Sequence, residues 1–163
     1  TLSAADLTDA IGFLVEVHSS GSLAQILDVR RVFEAETAYR AAQRIDAAGL
    51  AELQRLIDET DPQSIESLVD KDFEFHGTIA GYADNDYLAA LLQAVSVKTS
   101  RARTWRGLTQ DGAVEQTLQE HQAILDALAA GDPQRAQAAM IVHVSGVQDW
   151  AAETGGPAYE SAS

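Results

Sequence analysis

Three histidines and one aspartate stand at spacings that let a single metal ion gather them. Asp72 and His76 are four residues apart in Asp72-Phe73-Glu74-Phe75-His76, which puts both on one face of a helix. His121 and His143 flank the break Gly131-Asp132-Pro133, the first ten residues before the glycine and the second eleven after the aspartate. With helical, antiparallel flanks, each imidazole lies roughly 15–17 Å from the turn at about 1.5 Å rise per residue, so the two stand level. One carboxylate and three imidazoles suit a divalent transition metal with one or two positions left open. A lone histidine on a helix is usually a surface or satisfied core residue, and Asp72 with His76 could be a solvated i, i+4 pair. A levelled pair on a hairpin together with an acid–histidine pair elsewhere favours one shared site. His18 has no such partners and reads as a helix-end surface residue.

The remaining charged signals are weaker. Arg30 and Glu34 are i, i+4, and position alone favours an exposed ion pair worth a few tenths of a kcal/mol. Lys98, Arg101, Arg103 and Arg106 occupy a nine-residue stretch without an acid, by default a solvated basic face. Trp105 and Trp150 read as core or interface residues. The Glu-x-x-His pair of di-iron bundles is absent, as are His-Glu-x-x-His, Gly-x-Ser-x-Gly and phosphate-loop glycines. No catalytic residue is assigned.

Helices must carry these groups. The first is expected from Ala4 to His18, with Leu7, Ile11, Leu14 and Val15 as its apolar stripe, and Ser22 caps a second from Leu23 to Ile45. Asp46 caps a third that ends near Thr60. Asp61-Pro62 opens a fourth, which carries Ile65, Leu68, Val69, Phe73 and Phe75 on to Ile79, and Gly81 to Asp84 turns. Asn85 caps a fifth helix, Gly107 to Gly112 loops, and a sixth helix runs from Ala113 to Ala130. Gly131 ends it, Asp132 caps a seventh, and Pro133 takes the first position of that helix, which runs to Trp150. The fold class is all-α, an antiparallel bundle of six to seven helices. Residues 1–153 form one domain and 154–163 a flexible tail.

Composition narrows the function. The chain has 163 residues, 46% of them apolar, enough for one real core. It has no cysteine, which excludes disulfides and thiolate metal sites and fits a reducing cytoplasm. No stretch approaches eighteen apolar residues and Thr1 begins no signal peptide, so a cytoplasmic domain away from the membrane is expected. The start at Thr1 reads as a fragment or a processed piece. Twenty-five acids against eleven bases give a net charge of −14, which repels a phosphate backbone and makes this piece alone a poor DNA binder.

Three blocks carry a resemblance. Leu27-Asp28-Val29-Arg30-Arg31-Val32-Phe33-Glu34 with Ala41-Ala42 is similar to the opening motif of the C-terminal (FCD) domains of FadR-type regulators in the GntR family. Asp72 to Ala80 followed by Asn85-Asp86-Tyr87-Leu88 resembles their central motif, and Glu120 to Leu128 with Gly131-Asp132, Ala136, Met140 and His143 resembles their closing one. The blocks come in family order and span residues 5 to 150. The resemblance implies an all-helical effector-binding and dimerisation domain with a metal on Asp72, His76, His121 and His143. It also implies a small organic acid beside that metal and Arg30 in the cavity. Arg101 is expected to assist from the fifth helix. The family's N-terminal winged helix-turn-helix is missing before Leu7, so DNA is reached only through a segment outside these residues.

The leading expectation is therefore a non-enzymatic ligand sensor, a homodimer that binds a divalent ion and a small carboxylate. Zn²⁺ or Ni²⁺ suits the imidazole-rich set, and Mn²⁺ or Fe²⁺ is tolerated by the carboxylate. The alternative is a DinB-like helical-bundle metalloenzyme using the same histidines to activate water or a thiol, with Glu120 its natural base. A third reading is a purely structural metal.

Overall fold

A computed structural model describes residues 3–17 and 23–154, with side chains described for 3–10 and 23–154. Seven helices follow in order: α1 (Ala4–Val17), α2 (Leu23–Ala41), α3 (Ala47–Asp58), α4 (Ile65–Gly81), α5 (Asp86–Thr109), α6 (Ala113–Ala129) and α7 (Pro133–Thr154). Among the described residues there is no strand, and no helix is long and apolar enough to cross a membrane. The expected all-helical bundle is what the chain forms. The expectations for His18, for Ser22, for the side chains of Ile11, Leu14 and Val15, and for the tail beyond Thr154 lie outside the described residues.

Local chemistry sets the helix ends. Asp46 Oδ1 accepts from Gly49 N at 2.8 Å and Asn85 Oδ1 from Leu88 N at 2.9 Å, each satisfying an orphan amide of a first turn. The fourth helix starts later than Asp61-Pro62 suggests. Asp61 Oδ1 accepts from Gln63 N at 2.9 Å, closing a turn around Pro62, and Ser64 then caps α4 by accepting from Ser67 N at 3.1 Å. The second helix stops at Ala41 and residues 42–44 form turns. The fifth runs through Gly107 to Thr109 instead of breaking there. The Ile65 side chain fills the space a Cβ at Gly107 would need, with its nearest methyl 3.2 Å away, so that glycine serves close packing inside a helix.

α2, α4, α6 and α7 enclose the main core with α3 across one side, joining Leu53, Leu56, Ile79, Ile124, Leu128 and Met140. A second cluster of Leu27, Ala102, Val147 and Trp150 ties α2, α5 and α7 together nearer the end of α7. The site residues lie among the buried side chains of these helices. Trp105, by contrast, is half exposed on α5.

The α6–α7 turn fixes the register of the hairpin. Gly131 has φ +64°, Asp132 N donates to Ala127 O at 3.2 Å, and Gly131 N donates to Leu128 O at 3.0 Å, which is the Schellman pattern. Nothing closer than 3.9 Å opposes a side chain at Gly131, so a substitution there meets only the backbone penalty of the left-handed region. Gly131→Ala should therefore cost about 1–2 kcal/mol in urea unfolding with an unchanged m-value, and Gly131→Asn less. Equal stability of Gly131→Ala and wild type would show that this turn does not hold the hairpin.

Candidate metal centre

The hairpin and α4 bring the four expected ligands to one point. Asp72 and His76 project from α4, His121 from α6 and His143 from α7, all buried, and one donor atom of each lies within 4.8 Å of the others. Asp72 Oδ1 is 3.4 Å from His76 Nε2, 3.1 Å from His121 Nε2 and 3.6 Å from His143 Nε2, and the Nε2 atoms of His76 and His143 are 3.1 Å apart. With metal–nitrogen bonds of about 2.0–2.1 Å, neighbouring ligands of a four-coordinate ion are about 3.3 Å apart, close to these four separations.

The surroundings decide which atoms face inward. His76 Nδ1 lies 2.8 Å from Glu34 Oε2, and His143 Nδ1 2.9 Å from Glu120 Oε2. Burial alone would raise both carboxyls, but the His76 charge and hydrogen bond and the Arg30 charge hold Glu34 low, and the His143 hydrogen bond holds Glu120 low. An ionised carboxylate only accepts, so each Nδ1 carries the proton and each Nε2 turns a lone pair inward. Two lone pairs 3.1 Å apart repel unless a cation lies between them. Burial would lower His76, yet the charges of Glu34 and Asp72 raise it, the direction that favours positive charge at this point. This donor set fits a metal.

His121 is held differently. Its ring stacks on Phe75 with centroids 4.1 Å apart and 11° between planes. Burial lowers it to about 4, so it is neutral and ready to ligate across the neutral range. Asp72 keeps its other oxygen occupied, since Arg103 Nη1 donates to Oδ2. Burial alone would raise the Asp72 carboxyl, but the charges of Arg103 and His76 and the histidine hydrogen bonds bring it well below the usual range.

Arg30 is also inside, with its Nε 3.3 Å from Glu34 Oε1 and its Nη2 3.4 Å from His76 Nε2. The exposed-pair expectation for Arg30 and Glu34 is thus corrected, since both are buried. Their spacing from Leu27, Ala38 and Ala41 follows the buried face of α2, a signal available in the sequence. Arg101 is not brought to the cluster. It is exposed, and Arg103, two residues or about 200° further round α5, is the arginine that reaches Asp72. Arg106 is buried on the same side, so the basic stretch is split between cavity and surface. Sequence reasoning missed Glu34, Arg103 and Arg106 as parts of this centre and Glu120 as the partner of His143.

Arg30, Arg103, Arg106, Thr117 and His143 border a cavity of about 30 Å³ beside Asp72, room for a water or two. On the other side of His76 a groove of about 450 Å³ opens between α1, α4 and α5, which leaves the cluster one side chain from the surface.

Comparison with known proteins agrees with this architecture. The chain is 34% identical over 134 residues to the HTH-type transcriptional regulator LutR of Bacillus subtilis, a match covering 77% of the chain and 60% of that relative. It is 31% identical to the putative L-lactate dehydrogenase operon regulatory protein of Escherichia coli, covering 74% and 48%. The identity to the galactonate operon transcriptional repressor of E. coli is 28%, covering 85% and 62%. The chain thus spans about half to three-fifths of the length of these relatives. Among solved structures, E. coli McbR/YncC shares the fold with a TM-score of 0.71 at 16% identity, over 82% of this chain and 65% of that one. Streptococcus agalactiae GntR gives 0.60 at 23%, over 77% and 57%. The FCD domain matches residues 25–146, three-quarters of the sequence, and the chain belongs to that family.

Proposed function

We propose that this chain is the ligand-sensing part of a GntR-type transcriptional regulator, that Asp72, His76, His121 and His143 hold one divalent metal ion, and that a small organic acid binds beside it. Binding of the acid alters how two copies of the chain, each joined to a winged helix-turn-helix segment outside these residues, meet DNA. The observation that carries the metal reading is the inward orientation of the imidazole Nε2 atoms, backed by Glu34 and Glu120, around Asp72 Oδ1. Family membership and relatives titled as transcriptional regulators support the regulatory part.

A bound divalent ion supplies a positively charged centre with open positions for oxygen ligands. Arg30 links those positions to an acid. Its Nη2 lies 3.4 Å from the His76 Nε2 that an ion would take. With that nitrogen bound to an ion, Arg30 Nη2 would lack an acceptor there, and a carboxylate beside the ion provides one. The small cavity favours an acid of few atoms at this point. Relatives titled for an L-lactate dehydrogenase operon and a galactonate operon, both operons named for 2-hydroxy acids, favour a 2-hydroxy carboxylate, which chelates through two oxygens. An enzyme reading gains nothing here, because Glu120, its natural base, is already engaged by His143 Nδ1.

Three outcomes are expected. Metal analysis of the purified chain should give about one divalent ion per copy, lost on His121→Ala combined with His143→Ala; equal content in both would sink the site. Because His76 is raised above the ordinary imidazole value and must lose its Nε2 proton to ligate, metal uptake near neutrality should release a proton and weaken as pH falls. Calorimetry in buffers of different ionisation enthalpy reads that proton directly, and pH-independent affinity between about 5.5 and 7.5 would contradict it. L-lactate, the smaller of the two acids, should bind the metal-loaded chain, and Arg30→Ala, or Arg30→Gln which keeps the bulk, should weaken it by about 1.5–3 kcal/mol. An acid that binds chelator-stripped protein or the Arg30 variants equally well would refute this mechanism.

A further inference from the structure

Charge is divided unevenly across the centre. The small cavity beside Asp72 is bordered by Arg30, Arg103 and Arg106, three guanidiniums that oppose the approach of a divalent cation. The groove of about 450 Å³ on the other side of His76 has the opposite character. Its walls come from α1, α4 and the first half of α5. No lysine or arginine occurs from Thr1 to Val29 or from Asp72 to Val97, the two stretches that supply those walls. The same stretches bring the exposed acids Asp6, Asp9, Glu74, Asp84 and Asp86, with Asp86 lining the groove itself. Thr8, Gln93 and Ser96 add hydroxyl and amide groups to its walls. A cleft of one sign of charge concentrates ions of the other sign and raises their rate of arrival.

Space on this side leads to a donor. Of the four expected ligands, only His76 lines the groove. Gly77 inside α4 and Gly81 at its end also line it, and a Cβ at either would meet nothing within 4 Å. Glycine weakens a helix, and these two do not serve close packing as Gly107 does against Ile65. What their missing side chains leave is an open groove next to His76. We infer that divalent cations enter and leave the buried centre through the α1/α4/α5 groove, drawn in by Asp86 and met first by His76, while the acid approaches the opposite, arginine-bordered side. The inference rests on the metal reading above and gives that metal its path.

Stopped-flow mixing of the chelator-stripped chain with Co²⁺, followed by visible absorption, reads entry, and mixing the Co²⁺-loaded chain with excess chelator reads exit. Gly77→Leu and Gly81→Leu place side chains where the Cβ has open space and raise helix propensity, so both variants should fold as wild type does. Each should slow entry and exit by the same factor, about tenfold, with the dissociation constant unchanged, because a narrowed path raises the barrier equally in both directions. Asp86→Lys should slow entry by a factor that shrinks as salt rises from about 0.01 M to about 1 M, where the screening length falls from about 30 Å to about 3 Å. Asp58→Lys, the same change of net charge at an exposed position of α3, should slow it less at low salt. Glycine variants that exchange Co²⁺ as fast as wild type, or that change exit alone, remove this route and leave the metal site standing. Equal slowing by Asp86→Lys and Asp58→Lys overturns it as well. A wild type that takes up no Co²⁺ removes the site and the route together.

Discussion

The whole centre is organised by one electrostatic requirement: three imidazole nitrogens and a carboxylate oxygen share a buried space, and positive charge is favoured among them. Glu34 and Glu120 turn two Nε2 lone pairs inward, and Arg103 holds one oxygen of Asp72 so that the other faces the rings. The charges near the cavity are then three carboxylates, Glu34, Asp72 and Glu120, against three guanidiniums, Arg30, Arg103 and Arg106, which cancel. A divalent ion would add two positive charges to this balanced set. Leaving such charge uncompensated in a buried site is costly, so an anion beside the ion would lower that cost. On the proposed reading, metal and acid would be coupled through charge before any particular contact is considered.

The fold supplies the rigidity this requires. Asp72 and His76 are one helical turn apart on α4, so their relative position comes from the helix itself. His121 and His143 are on different helices and depend on the α6–α7 hairpin, whose length on each side of Gly131-Asp132 sets their level. Phe75 adds a third restraint, stacking on His121 beside its chain neighbour His76, so a single stretch of α4 places one candidate ligand and braces another. Errors of a turn in any of these three helices would separate the donors by about 5 Å, more than the cluster tolerates.

Helix count, the Asp46, Asn85 and Gly131-Asp132-Pro133 boundaries and the convergence of Asp72, His76, His121 and His143 were legible because each depends on periodicity or capping within one or two segments. What was not legible depended on direction. Arg30 and Glu34 look like a surface pair until the buried stripe of α2 is seen to pass through them. In the acid-free stretch of α5 the three arginines divide, with Arg103 and Arg106 inside and Arg101 outside, and only neighbouring helices decide which arc of α5 is covered. Glu120, next to His121 in sequence, is turned about 100° from it on α6, and that rotation carries it to His143 instead. The late start of α4 is a contest between two caps three residues apart. Ser64 prevails because Asp61 is spent on its own turn.

The missing acids of α5 follow from the same electrostatics. An Asp or Glu at the level of Arg103 or Arg106 on the inner arc would neutralise a guanidinium that Asp72 or the cavity needs, and would add a buried anion without a partner. On the outer arc the constraint is weaker, because exposed charges are screened over about 8–10 Å and an acid there would cost little in an isolated chain. Yet that arc is also free of acids and carries Trp105, Leu108 and Val97 beside Arg101, while α4 next to it carries Glu66, Asp70 and Glu74. Interior chemistry therefore sets the inner arc of this helix, and Arg103, held between Asp72 Oδ2 and Ser96 O, is the guanidinium that fixes which arc turns inward.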